Sequence, residues 1–202
     1  MKCLKKSIFK IKKFLLLLFL TFSAFLPFSI SMGHNTSEPL KNGFEGGDFT
    51  LRSADGPLSL KDLRGSVVLI FFGYTACATV CPVSLATISY VYSKMSPEEL
   101  KRTKALFISL DPERDNPARL KKYTNYFHPN ITGLTDEISI LKKVTAKYGL
   151  KYEKTLVPDS SLGYVISHSS DIMIVDQNGT LRMSLPHDTQ PEKLLKQVKL
   201  FL

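Results

Sequence analysis

A chain of 202 residues, 44% of them apolar, can build one ordinary core and carry a short appendage. Its net charge of +9 is concentrated at one end, where Lys2, Lys5, Lys6, Lys10, Lys12 and Lys13 precede any acid. Of 27 basic residues, 21 are left for the rest of the chain against 18 acidic ones, with no second basic block, so no nucleic-acid surface is expected.

The lysine cluster leads into Phe14–Ile30, 17 residues without a charge. Basic then apolar is the pattern of an export signal, and it keeps the lysines on the cytoplasmic side. The length of the run favours an uncleaved single-pass anchor, with a cleavable signal as the rival reading. The run is at the short end for a bilayer and Pro27 weakens its far end, while Ser29 and Ser31 are small residues at cleavage spacing. Residues 1–31 are read as signal or anchor, 32–46 as a polar linker, and 47–202 as one domain in the periplasm or an equivalent extracytoplasmic space. Cys3 falls on the cytoplasmic side and is incidental. His34 is read as an ordinary surface histidine.

Phe49–Leu51 and Leu58–Leu60, joined through Ala54-Asp55-Gly56-Pro57, predict a β-hairpin. Val67–Phe72 predicts a central strand, apolar on both faces as in parallel sheets. Pro82 suits a first helical turn, and Val83, Leu85, Ile88, Val91, Tyr92 and Met95 continue an apolar stripe. Ala105–Leu110 predicts a second strand, followed by a turn and a helix to about Phe127. Ile138–Tyr148 predicts a helix stopped by Gly149. Asp171–Val175, Gln177-Asn178-Gly179 and Thr180–Leu185 predict a hairpin, and Pro191–Leu202 a terminal helix. The order is α/β, and matches a thioredoxin-like fold with an N-terminal β-hairpin and an inserted segment around 131–165.

Directly after the first central strand stands Cys77-Ala78-Thr79-Val80-Cys81. A strand running into two thiols at the start of a helix is the layout of a thiol redox site, here one residue longer than Cys-x2-Cys. On a helix, positions four apart share a face with Cβ atoms about 5–6 Å apart, so the sulfurs are expected to converge on one soft metal ion or to close a disulfide. A helix N-terminus and a nearby cation are expected to favour thiolate. A soft d10 ion such as Cu(I) would need a third donor. His168, just before the Asp171 strand, returns in this topology beside the same helix start. The plain alternatives are a structural disulfide, a surface role for His168, His128 and His187, and turn and helix-cap roles for Asp111 and Asp115.

Several stretches together resemble the Sco/SenC family: Gly73-Tyr74-Thr75-Ala76-Cys77 with Val80-Cys81-Pro82, Ser109-Leu110-Asp111-Pro112-Glu113-Arg114-Asp115 with Pro117, and Tyr164-Val165-Ile166-Ser167-His168-Ser169. The resemblance covers about residues 40–202. It implies a membrane-anchored, thioredoxin-like copper protein that assists assembly of the dinuclear copper centre of cytochrome c oxidase. Its implied copper ligands, for Cu(I) and also Cu(II), are Cys77, Cys81 and His168, with Asp111 and Asp115 an acidic pair on the same face. Implied partners are the copper-centre subunit of the oxidase, a copper donor protein and the inner membrane. The family pattern places Pro-Asp where this chain has Ala78-Thr79. The missing carboxylate makes the thiols easier to ionise and less attractive to a cation.

The competing reading is a thiol–disulfide oxidoreductase with Cys77 attacking and Cys81 resolving as a redox pair. No proline occurs between 159 and 185, where a general thioredoxin carries its substrate-gripping proline, so a narrower reductase is implied. A peroxidase would want a proline as well as Thr75 shortly before the reactive thiol. A structural zinc site would want a fourth ligand.

Overall fold

The structure is a computed structural model that describes residues 46–202. The expected signal or anchor over 1–31, Cys3, His34 and nearly all of the linker lie outside the described residues. Among the described residues no helix is long and apolar enough to cross a membrane.

Gly56, at φ 113°, turns the chain between β1 (Thr50–Ser53) and β2 (Gly56–Ser59). A short 3-10 turn, Leu60–Leu63, follows, capped by Ser59 with Asp62 reaching back. Then come β3 (Val67–Gly73), α1 (Val80–Ser93), α2 (Pro97–Lys101), β4 (Thr103–Ser109) and α3 (Pro117–Phe127). The chain continues through β5 (Ile131–Leu134), α4 (Ile138–Lys147), β6 (Tyr152–Val157), β7 (Gly163–His168), β8 (Ile172–Val175), β9 (Leu181–Leu185) and α5 (Pro191–Lys199). The expected hairpins, central strands and main helices are present.

The main sheet runs in the order β5-β4-β3-β8-β9. β3 and β4 pair in parallel from Val67↔Thr103 to Gly73↔Ser109, and β3 pairs antiparallel with β8. Every residue of β3 is buried, because the sheet is covered on both faces. Val68, Ile70 and Phe72 pack with Leu51, Leu60, Leu141 and Tyr148 on one side. Val67, Leu69 and Phe71 pack with Leu85, Ile88, Leu120 and Leu194 on the other, and Cys81 belongs to that second cluster. One face therefore holds α1, α3 and α5, while the other holds the first hairpin and α4.

The inserted segment is more structured than the sequence suggested. It supplies β5 to the edge of the main sheet and then forms β6–β7, a separate two-stranded ribbon with Tyr152 paired to His168. Gly133 lets β5 lie against α3, since a Cβ there would meet Leu120 Cβ at 2.7 Å.

Candidate functional site

β3 delivers the chain to its C-terminal end at Gly73, and a tight turn follows in which the Cys77 N–H donates to the Tyr74 carbonyl at 3.2 Å. Helix α1 begins only at Val80, with Thr79 as N-cap making no side-chain capping bond. The expectation that both cysteines share a helical face is therefore corrected: Cys77 lies in the turn before the helix and Cys81 in its first turn. The sulfurs still meet, and both cysteines are free thiols.

With no side-chain cap in place, the N-terminal amides of α1 turn to the Cys77 sulfur. The Cys77 thiol is lowered to about 5. The S–H of Cys81, donating to that sulfur, lowers it most; partial burial pushes back, and the N–H groups of Cys81, Thr79 and Val80 add to the lowering. The Cys81 thiol moves the opposite way, raised because it is the donor in that bond and because it is buried. At neutral pH the pair is one exposed-side thiolate and one buried thiol. Hydrogen-bond donors, with Cys81 foremost, account for what a nearby cation was expected to do.

Cys81 is fully buried against the strand end. A Cβ on Gly73 would stand 2.7 Å from its Sγ and 2.8 Å from Phe107 Cε2, so this position requires glycine for closeness rather than for backbone freedom.

His168 ends β7, half-buried. Its ring stands edge-on to Tyr74 at 6.2 Å and to Phe71 at 6.4 Å. Nδ1 is 2.9 Å from the Ser169 carbonyl, so the tautomer that donates there carries its proton on Nδ1 and leaves Nε2 a free donor atom for a metal. The structure thus brings the two sulfurs together and sets the imidazole against Tyr74, three residues before Cys77. Among the described residues it does not gather any three His, Cys, Asp or Glu side chains closely enough to hold a metal ion.

Asp111 and Asp115 are both buried, and neither caps a helix with its side chain. The N-cap of α3 is Asn116, whose Oδ1 accepts from the Arg119 N–H at 2.8 Å. Asp111 pairs with Arg114 and accepts from the Tyr164 hydroxyl at 2.7 Å. Arg114 stacks on Tyr164 at 3.8 Å and donates to the carbonyls of Leu162 and Tyr164, while Lys154 pairs with Glu113 at 2.7 Å. This cluster ties the β6–β7 ribbon, and with it His168, to the loop after β4. Asp115 instead turns toward Thr75. Arg114 and Tyr164 were not singled out by sequence reasoning, although both fall within the motifs quoted above, and Thr75 was noted only for a peroxidase reading. His128 packs against Tyr92, and His187 bonds Ser170 at 3.1 Å.

A thioredoxin-like scaffold presenting a polarised dithiol next to an imidazole defines a class of metal-handling or thiol-exchanging proteins. Comparison with known proteins narrows it: the SCO1/SenC family profile matches residues 37–202. A SCO2-like protein of Rickettsia felis is 33% identical over 155 residues, covering 76% of this chain and 75% of the relative. Among solved structures, ScoI of Bradyrhizobium japonicum with copper bound is 35% identical, with a TM-score of 0.70 over 78% of this chain and 99% of that one. BsSco, described with a disulfide switch as a member of the Sco family of cytochrome c oxidase assembly proteins, is 25% identical, with a TM-score of 0.62 over 81% of this chain and 95% of that one. The chain belongs to the SCO1/SenC family, and its function is copper-related.

Proposed function

We propose that this protein is a copper metallochaperone that holds copper through Cys77, Cys81 and His168 and passes it to the dinuclear copper centre of cytochrome c oxidase. The observation that carries the reading is the polarised thiol pair, with Cys77 ionised at neutral pH and Cys81 in contact with it. Two sulfur donors and a free imidazole Nε2 are a donor set that suits Cu(I), and one that Cu(II) also accepts. Copper supplies the electrophile; the chain supplies the donors. Cys77 is ready as thiolate, whereas Cys81 must give up its proton, so uptake at neutral pH releases about one proton per ion. Delivery proceeds by ligand exchange, the partner's thiols replacing these donors in turn. A copper donor protein loads the site, and residues 1–31 hold the domain at the inner membrane, facing the periplasm or an equivalent space.

The test is an anaerobic Cu(I) titration of the reduced full chain against a chelator of known affinity, with Cys77→Ala, Cys81→Ala and His168→Ala alongside. One tight equivalent, weakened in all three variants, is expected. Binding as tight in the variants as in the parent would refute the site.

A second reading has support in the asymmetry of the same pair: a thiol–disulfide reductase that keeps the oxidase's copper-ligand cysteines reduced. A half-exposed thiolate attacks and a buried neighbouring thiol resolves, and the disulfide switch described for BsSco is chemistry of this kind. Reduction of an oxidised partner peptide by the metal-free protein, lost in Cys77→Ala, would support it; no exchange would leave copper delivery alone.

A further inference from the structure

We propose that Asp115 and Thr75 form a clamp that positions Cys77, which deepens the reading of Cys77 as the exposed thiolate of the site. Thr75 is the second residue of the turn closed by the Tyr74 carbonyl and the Cys77 N–H. Both of its polar groups go to one carboxylate. Its N–H donates to Asp115 Oδ2 at 2.9 Å, and its hydroxyl donates to Oδ1.

Asp115 is itself fixed. It is 1% exposed, its Oδ2 accepts from the Ser109 hydroxyl at 2.6 Å, and Arg119 Nε balances its charge at 3.4 Å while donating to Thr75 Oγ1 at 2.9 Å. Ser109 is the register partner of Gly73, so the carboxylate stands over the paired ends of β3 and β4 where the turn departs. A turn needed only for closure is served by its own backbone bond. Here a buried carboxylate is directed at the one residue whose placement sets where Cys77 begins, and the amides that stabilise its thiolate follow in register. Bonds to a charged acceptor are the strong ones, and leaving such a group short of a partner in the interior is costly. Asp115 and Thr75 are positioning residues, touching neither sulfur.

The experiment compares Thr75→Val, which keeps the shape and loses the hydroxyl, with Thr75→Ser, which keeps it. In the reduced, copper-free full chain, the rate of iodoacetamide alkylation at Cys77 is followed by peptide mapping at about pH 4, below the Cys77 midpoint of about 5, where the rate reports the thiolate fraction. Cu(I) affinity and denaturation midpoints are measured in parallel. Loss of one bond to a charged group predicts an alkylation rate and a Cu(I) affinity each about tenfold lower in Thr75→Val, with Thr75→Ser near the parent. Asp115→Asn, which turns one acceptor into a donor facing donors, moves both readouts the same way. Parent-like or faster alkylation of Thr75→Val overturns the clamp, as does a loss of stability with Cys77 reactivity unchanged. If the parent takes up no tight Cu(I), the copper reading fails while the alkylation comparison still decides the clamp.

Discussion

Replacing Cys81 with alanine removes the S–H group that does most to hold the Cys77 thiol at about 5. A hydrogen bond to an ionised acceptor contributes about 1.5–3 kcal/mol, and one pKa unit corresponds to about 1.4 kcal/mol, so the loss is worth about one to two units. Cys77 is only half-buried, which places the effect toward the lower end. In Cys81→Ala the midpoint for Cys77 is therefore expected at about 6–7, still below an ordinary thiol because the N–H groups of Thr79 and Val80 remain. The rate of Cys77 alkylation as a function of pH, followed by peptide mapping, reads this midpoint directly. A Cys81→Ala protein whose Cys77 still titrates at about 5 would refute the assignment of Cys81 as the principal donor. A midpoint equal to that of a free thiol would instead refute the share given to the helix amides.

Thr79→Asp introduces the carboxylate that the family pattern places here. At roughly 6 Å and an effective dielectric of about 20–80, it should raise the Cys77 midpoint by about 0.5–2 units, read in the same assay. Stability should also follow the pair. Folded Cys77 is lowered, so its contribution is full above the unfolded thiol value and is lost as pH falls through about 5. Folded Cys81 is raised, so stability drops as pH climbs past the unfolded value of about 8.5. Urea unfolding across this range, against a Cys77→Ala/Cys81→Ala protein, should show a rise and then a fall that the variant lacks. Gly73→Ala drives a methyl into Cys81 Sγ and Phe107, and overpacking of this kind costs about 1–3 kcal/mol in chemical denaturation. Tyr164→Phe removes the hydroxyl that bonds the Asp111 carboxylate, for a loss of about 1.5–3 kcal/mol by the same measurement.

Strongly apolar or sharply punctuated segments were legible in the sequence. Val67–Gly73 could only be a strand buried on both faces, and Asn178-Gly179 could only turn the chain between β8 and β9. The β6–β7 ribbon was missed because Ile166 alone among its residues is buried, with no alternation to betray a buried face. β5 was hidden by Gly133, which reads as a breaker until Leu120 is seen to need the space. Helix α2 carries a capping box from Ser96 to Glu99 but is only five residues long, too short for periodicity. At the site, the residue types of the thiol pair and histidine were readable, and their mutual geometry was not. A one-turn spacing looked helical, yet Thr79 starts α1 between the two cysteines. Asp115 looked like a cap because capping residues and buried hubs share the same polar chemistry; only the fold shows that Asn116 takes the cap and leaves Asp115 to Thr75.

The imidazole rides on a ribbon that is hydrogen-bonded to no strand of the main sheet among the described residues, whereas Cys81 is wedged between Gly73 and the core. The imidazole and the dithiol are therefore under unequal architectural constraint. The turn between Val157 and Gly163 lies at the far end of the ribbon from His168, and the bonds from Arg114 to the Leu162 and Tyr164 carbonyls tie the ribbon to the loop after β4. In a scaffold divided in this way, the place of the imidazole depends on the polar cluster of Asp111, Arg114 and Tyr164, while that of the dithiol depends on the apolar core.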